Sequence, residues 1–189
     1  MDLASFDFIP LHEGTAIPSF RCKDPDLNGF LFDDAKKYLS ELMATTYLFV
    51  DPKANKTVAY FSLLNDKIAS DPEERALWNR INRNISNPKR RKTYPSVKIG
   101  RLAISEEYER RGIGSKILHF INMAFTNGNR TGCRFVTVDA YANVTDFYLK
   151  NGFHFLTKKD AKDATRLMCF DLKPFKDGNP ERVPVLRSA

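Results

Sequence analysis

Residues 107–118 read "EYERRGIGSKIL", a polar turn with two glycines and two arginines that runs straight into an apolar helical pattern. The preceding "SVKIGRLAIS" alternates like a strand, and "GIGSKILHFINMAFTNG" keeps apolar residues at helical spacing until a glycine stops it. A strand ending near Ile104 therefore turns into a helix that begins at Gly112. The first N–H groups of such a helix lack intrahelical partners, and its dipole places about half a positive charge there. Gly112 and Gly114 remove the Cβ atoms that would hold a phosphate off the backbone, and Arg110 and Arg111 add charge beside them. The turn reads as an anion site, although its spacing is neither that of a P-loop nor that of a dinucleotide fingerprint.

Working outward, strands and helices alternate. "ASFDFIPL" has the period of a strand, and "DPDLNGFLFDDAKKYLSELM" sets Leu27, Phe30, Leu31, Ala35, Tyr38, Leu39 and Leu42 at helical spacings behind an Asp24 cap and Pro25. "TTYLFVD" and "TVAYFSLLND" flank "PKANK" as a hairpin. "DPEERALWNRINRNI" is a second capped helix, and "NPKRRKTYP" reads as a loop. "CRFVTVDAY" has the β-branched and aromatic run of a buried central strand, and "VTDFYLKNG" is a short helix closed by Asn151 and Gly152. "FHFL" and "TRLMCFDLK" supply the last strands. The end, from Pro174, is expected to be extended.

A chain of 189 residues fits one domain. It holds no apolar run long enough to span a membrane, and its start, "MDLASFDFIPLHEG", lacks the basic and apolar regions of a signal peptide, so the expected location is the cytoplasm. Cys22, Cys133 and Cys169 are odd in number and lie at no metal-ligand spacing, so they read as free thiols, with no metal expected. The net charge of +7 is unevenly placed: between Glu74 and Glu106 lie nine basic residues and no acid, which leaves the remainder at about −2. Such a stretch is either a solvated loop or a surface for phosphate-rich partners.

With its neighbours, the opening turn resembles motif A of the GCN5-related N-acetyltransferases (GNAT), [QR]-x-x-G-x-[GA] after the fourth strand. The matching residues are Glu109, Arg110, Arg111, Gly112, Ile113 and Gly114, with Glu109 standing where Gln or Arg is usual. The resemblance implies that Arg110 to Ser115 grip the pyrophosphate of acetyl-CoA, and that Leu102, Ala103 and Ile104 pair with its pantetheine arm. "FVTVDAYANVTDFYLKNGFHFL" is similar to motif B, matched by Phe147, Tyr148, Gly152 and Phe153. Tyr141 replaces the family's asparagine, and Asn143, two positions on, is the candidate to serve instead. By the same resemblance Phe147 contacts the cofactor and Tyr148 assists the departing thiolate. The implied architecture is α+β: a mixed, mostly antiparallel sheet of six to seven strands, splayed between the fourth and fifth, with helices on both faces.

Upstream, Cys22, Leu27, Asn28, Phe30 and Leu31 match a C-x-x-x-x-L-N-x-[FW]-L phrase, and Gly100 to Ile104 match "GRLA[VI]". Both resemble the acetyltransferase toxins of toxin–antitoxin modules, which acetylate the α-amine of aminoacyl-tRNA. The domain then spans residues 1–173, with a basic helical insertion at about 66–96 that is longer than in those toxins, and residues 174–189 form the tail. A tRNA backbone would meet Arg80, Arg83, Lys89, Arg90, Arg91 and Lys92, and a cognate antitoxin would be a second partner, to a monomer or homodimer. A housekeeping enzyme for a small amine or a protein, or a silent binding module with the same fold, are the alternatives. No base stands out: Asp139, Glu106 and Glu107 are candidates, and an α-amine with pKa near 7.7–8.0 needs little base at all. His12, His119 and His154 form no cluster in the sequence.

Overall fold

The computed structural model describes residues 2–83, 85, 91–127 and 131–178. Seven strands form one sheet in the order β1-β2-β3-β4-β5-β7-β6: β1 Asp7–Pro10, β2 Thr45–Asp51, β3 Lys56–Ala69, β4 Thr93–Ile104, β5 Phe135–Tyr141, β6 His154–Phe155 and β7 Thr165–Asp171. The β1–β2, β2–β3, β5–β7 and β6–β7 pairs are antiparallel, and β4–β5 is parallel. This is the expected mixed, mostly antiparallel sheet. The helices are α1 Pro25–Gly29, α2 Ala35–Ser40, α3 Arg75–Arg83, α4 Ile113–Thr126, α5 Thr145–Lys150 and α6 Leu172–Gly178. Contacts divide the described chain into two compact units, residues 2–64 with 99–127, and residues 65–98 with 131–178.

In the first unit, strand alternation sorts the aromatic residues onto two faces. Phe8, Phe49 and Phe61 pack on Phe120 of α4, while Leu48, Val50 and Tyr60 pack on Phe30, Leu31 and Ala35 of the α1–α2 segment. Burying each of the fully buried Phe, Leu and Val side chains among them contributes about 1.5–3 kcal/mol. The Cys22–Asn28 phrase acquires a structural meaning here. The Asn28 side chain accepts from Cys22 N–H at 2.8 Å and donates to Cys22 and Asp24 carbonyls, so one amide satisfies the chain entering α1. Asp24 caps α1 as expected, its side chain accepting from Asp26 N–H.

The second unit holds a smaller core of Ile68, Tyr94, Phe135 and Leu156, with Leu77, Trp78 and Ile81 of α3 laid against it. Trp78 stacks on Tyr94 at 5.2 Å, whose hydroxyl donates to Asn82.

Four expectations are corrected. The helix expected over residues 25–42 is interrupted by a π-helical turn, Phe30–Asp34, and ends at Ser40; Leu42 adopts φ +57° and is 92% exposed, outside the apolar stripe. β3 runs past Asp66, to Ala69. β4 begins at Thr93, so Thr93 to Pro95 are strand rather than loop, and both ends of the expected insertion extend the β3 and β4 strands. The segment expected to be extended from Pro174 begins instead with α6. Its first-turn position tolerates proline, Asp171 accepts from Lys173 N–H at 3.0 Å, and Lys173 pairs with Asp177 one turn on. Residues 179–189 lie outside the described part.

Candidate active site

The turn from β4 into α4 is fixed from below. Tyr108 is buried and its hydroxyl donates to Asp51 at 2.9 Å. Arg111 lies over the Tyr108 ring at 5.2 Å, a cation–π contact that restrains its guanidinium. Arg110 and Gly112 both take left-handed backbone, φ +58° and +74°, and Gly112 is the N-cap of α4. A glycine accepts that conformation at little cost. Nothing lies within 4 Å of where a Gly112 Cβ would stand, so the residue clears space outside the fold rather than inside it. No side chain caps the helix, whose first bond runs from Lys116 N–H to Gly112 C=O. The buried Ile113, Ile117, Leu118 and Ile121 hold α4 to its unit. The amides of Ile113, Gly114 and Ser115 are thus open donors on a rigid mount, which is what a diphosphate needs.

The charges around the turn are sorted. Glu106 lies 3.8 Å from Arg21, Glu107 accepts from Lys56 at 2.6 Å, and Glu109 accepts from Lys23. Glu109, the departure from motif A, is thereby neutralised by a lysine 86 residues upstream. Arg110 and Arg111 have no acidic partner among the described residues. The residues present therefore fit the phosphates of acetyl-CoA. On β4, Ala103 is buried in the core while Leu102 and Ile104 are half-buried, and Ser105 N–H donates to Val58 C=O at 2.8 Å. A Cβ at Gly100 would meet the end of the Leu64 side chain at 2.7 Å, so a larger residue there requires that side chain to move.

In the second unit, Tyr148 on α5 is 7% exposed and sits edge-on to Phe147 and Phe153, with ring centroids 5.0 and 5.3 Å away. Burial pushes its phenol up to about 12, so it holds its proton throughout the physiological range. Gly152 has φ +82°, a conformation that favours glycine at this motif B position, and a Cβ would stand 3.0 Å from the Phe170 ring, which would have to give way slightly. The Asn151 side chain donates to Phe147 C=O at 2.7 Å and closes α5. Asn143 is exposed in the short turn before α5.

The candidate bases are all engaged. Besides Glu106 and Glu107, Asp139 accepts from Lys98 at 2.7 Å, beside Asp66, which accepts from Thr137 at 2.6 Å. Arg80 and Arg83 are exposed on α3, and Arg91 and Lys92 are exposed before β4; Lys89 and Arg90 lie outside the described residues. Lys23, Lys56 and Lys98 were not singled out by sequence reading. Each finds its carboxylate through tertiary folding, and no local spacing marks it. No group of three or more His, Cys, Asp or Glu among the described residues could hold a metal, and no described helix is long and apolar enough to cross a membrane. The three cysteines are free.

Residues 80–155 match the family model of the acetyltransferase (GNAT) domain. No curated protein matches the sequence. Among solved structures, a tyrosine-to-phenylalanine mutant of KacT aligns with TM-score 0.74 and 18% identity over 93% of this chain and 99% of that one. AtaT complexed with acetyl-methionyl-tRNAfMet aligns with TM-score 0.70 and 21% identity, over 90% of this chain and 97% of that one. A tyrosine-to-phenylalanine mutant of the AtaT toxin, bound to the C-terminus of the antitoxin AtaR and acetyl-CoA, aligns with TM-score 0.70 and 17% identity, over 93% and 99%. The likeness to these structures is one of fold.

Proposed function

We propose that this chain, whose residues 80–155 match the model of the acetyltransferase (GNAT) domain, transfers acetyl from acetyl-CoA to the α-amine of an aminoacyl-tRNA. The observation that carries this reading is the uncapped start of α4, with Gly112 in left-handed backbone and two arginines free of acidic partners. Acetyl-CoA, when bound, supplies the acetyl thioester. The amides of Ile113 to Ser115, with Arg110 and Arg111, hold its diphosphate, and the β4 backbone at Leu102 to Ile104 orients the arm and offers an N–H to the thioester oxygen. Tyr148 keeps its proton on the hydroxyl and donates it as a hydrogen bond toward the leaving sulfur. With a pKa of about 12 against roughly 8.5 for a thiol, it stabilises charge on sulfur better than it surrenders the proton.

The acceptor assignment draws on two further features. The carboxylates that could serve as bases are tied in ion pairs, which suits an α-amine that is partly neutral at pH 7 without help. The arginines of α3 suit a phosphate backbone, and AtaT, similar in fold, has been solved with an acetylated aminoacyl-tRNA. An antitoxin partner is proposed on the same footing.

The test is a translating extract supplied with labelled acetyl-CoA and either wild type or Tyr148→Phe. Label on aminoacyl-tRNA and arrested translation are expected with wild type. The Tyr148→Phe rate should fall about 10²- to 10³-fold, the cost of one lost donor to a developing anion, with acetyl-CoA affinity unchanged. Label on protein or on small amines alone would replace the acceptor, and failure to bind acetyl-CoA would remove the enzyme reading.

A further inference from the structure

Helix α3 leaves its positive charge open. Arg75, Arg80 and Arg83 are exposed, and among the described residues none has an acidic partner, whereas Lys98, Arg134, Lys159 and Arg166 of the same unit are all ion-paired. Its other face, Leu77, Trp78 and Ile81, meets the sheet without any residue becoming fully buried, and a cavity opens on either side of it. The larger, about 430 Å³, is edged by Asp71, Glu74, Asp160 and Asp163 against Lys67 and Lys159, and its excess of carboxylates would repel a phosphate. The smaller, about 210 Å³, is different. Its walls are Leu77, Ile81 and Phe135, its mouth carries Arg80 and His154, and the thiol of Cys169 lies among them. The one acid there, Asp171, is already held by Arg134 at 2.8 Å. Burial pushes the Cys169 thiol up to about 12, so it presents no charge.

We propose that this smaller cavity is a nucleotide subsite for RNA. The Arg80 guanidinium takes a phosphate, the apolar walls take the ribose and base, and His154 offers a hydrogen bond to a 2′-hydroxyl. The inference rests on the tRNA reading above and deepens it: a bare basic face contributes only backbone attraction, whereas a cavity beside an unpaired arginine fixes one nucleotide. It engages no residue of the acetyl-CoA site, so it is measurable without turnover.

The experiment measures binding of deacylated tRNA by fluorescence anisotropy across a salt series, with thermal melts to confirm that each variant is folded. Arg80→Ala should weaken binding and flatten the plot of log K against log salt by about 0.7–0.9, the signature of one lost phosphate contact. Cys169→Leu fills the cavity and leaves every charge in place. It should raise Kd about fivefold or more with the slope unchanged. His154→Ala, on the exposed rim, should weaken binding with the slope likewise unchanged, which keeps the proposal testable if Cys169→Leu does not fold. If wild type binds tRNA and both Cys169→Leu and His154→Ala bind as wild type does, the subsite is overturned while the tRNA reading stands. If wild type does not bind tRNA, both fall.

Discussion

Two helices of this chain offer positive charge, and they do it by opposite means. At the start of α4 the donors are main-chain amides, set by two left-handed residues and mounted on a helix whose Ile113, Ile117, Leu118 and Ile121 are buried. On α3 the charge is carried by three arginine side chains, on a helix with no fully buried residue. A main-chain site is preorganised and specific for a compact anion, because the donors lose no rotamer freedom on binding. A side-chain site is adaptable and salt-sensitive, as a long polyanion requires. One fits the proposed diphosphate, the other the proposed RNA backbone.

The strongest way to break this comparison is Gly112→Ala. The left-handed conformation costs an alanine about 1–2 kcal/mol; the variant turn relaxes to shed that strain, so restoring it on binding costs up to about tenfold in affinity, and the new methyl group occupies space the fold itself leaves open. Calorimetry should therefore show acetyl-CoA affinity down about tenfold or more, with tRNA affinity in low salt unchanged. Equal losses of both would mean that the two helices do not divide the work.

A smaller effect concerns the acid beside the turn. Lys23→Ala strips Glu109 of its partner and leaves a carboxylate beside the proposed diphosphate site. With Lys23 largely exposed, the loss of acetyl-CoA affinity should be less than about fivefold, the range of an exposed ion pair. Adding Glu109→Gln should restore it. If the double variant stays weak, the lysine itself touches the cofactor.

What sequence alone reveals follows the same division. Motif A is readable because left-handed backbone and close approach to an anion both select glycine, so Gly112 carries the constraint in its identity. Gly152 is readable for a related reason, and the structure adds the Phe170 ring that crowds a Cβ there. The Lys23–Glu109 and Lys98–Asp139 pairs were not readable, since charges that meet across 86 and 41 residues leave no periodic trace. In sequence Tyr94 and Pro95 read as loop because proline and the charged run before it outweigh the strand pattern, while in the structure Tyr94 packs on Trp78. In α6 the proline misled again, because only the Asp171 cap reveals that it falls in a first turn.

The subtlest prediction tests the footing of the α4 turn. Tyr108→Phe keeps the ring under Arg111 and removes only the hydroxyl bond to Asp51. That bond, followed by the N–H groups of Lys53 and Ala54, lowers the Asp51 carboxyl below its ordinary value. A carboxylate whose folded pKa is depressed stabilises the fold above its unfolded pKa of about 3.9, and loses that contribution as pH falls through the lower, folded value. Thermal melts should therefore place Tyr108→Phe a few degrees below wild type at pH 7, with the gap closing as the pH is taken below about 4. Acetyl-CoA affinity should hardly change, because Arg111 keeps its aromatic support. A gap that persists in acid would assign the loss to packing around Tyr108, and a marked loss of affinity would mean that the hydroxyl, rather than the ring and the buried stem of α4, aligns the amides.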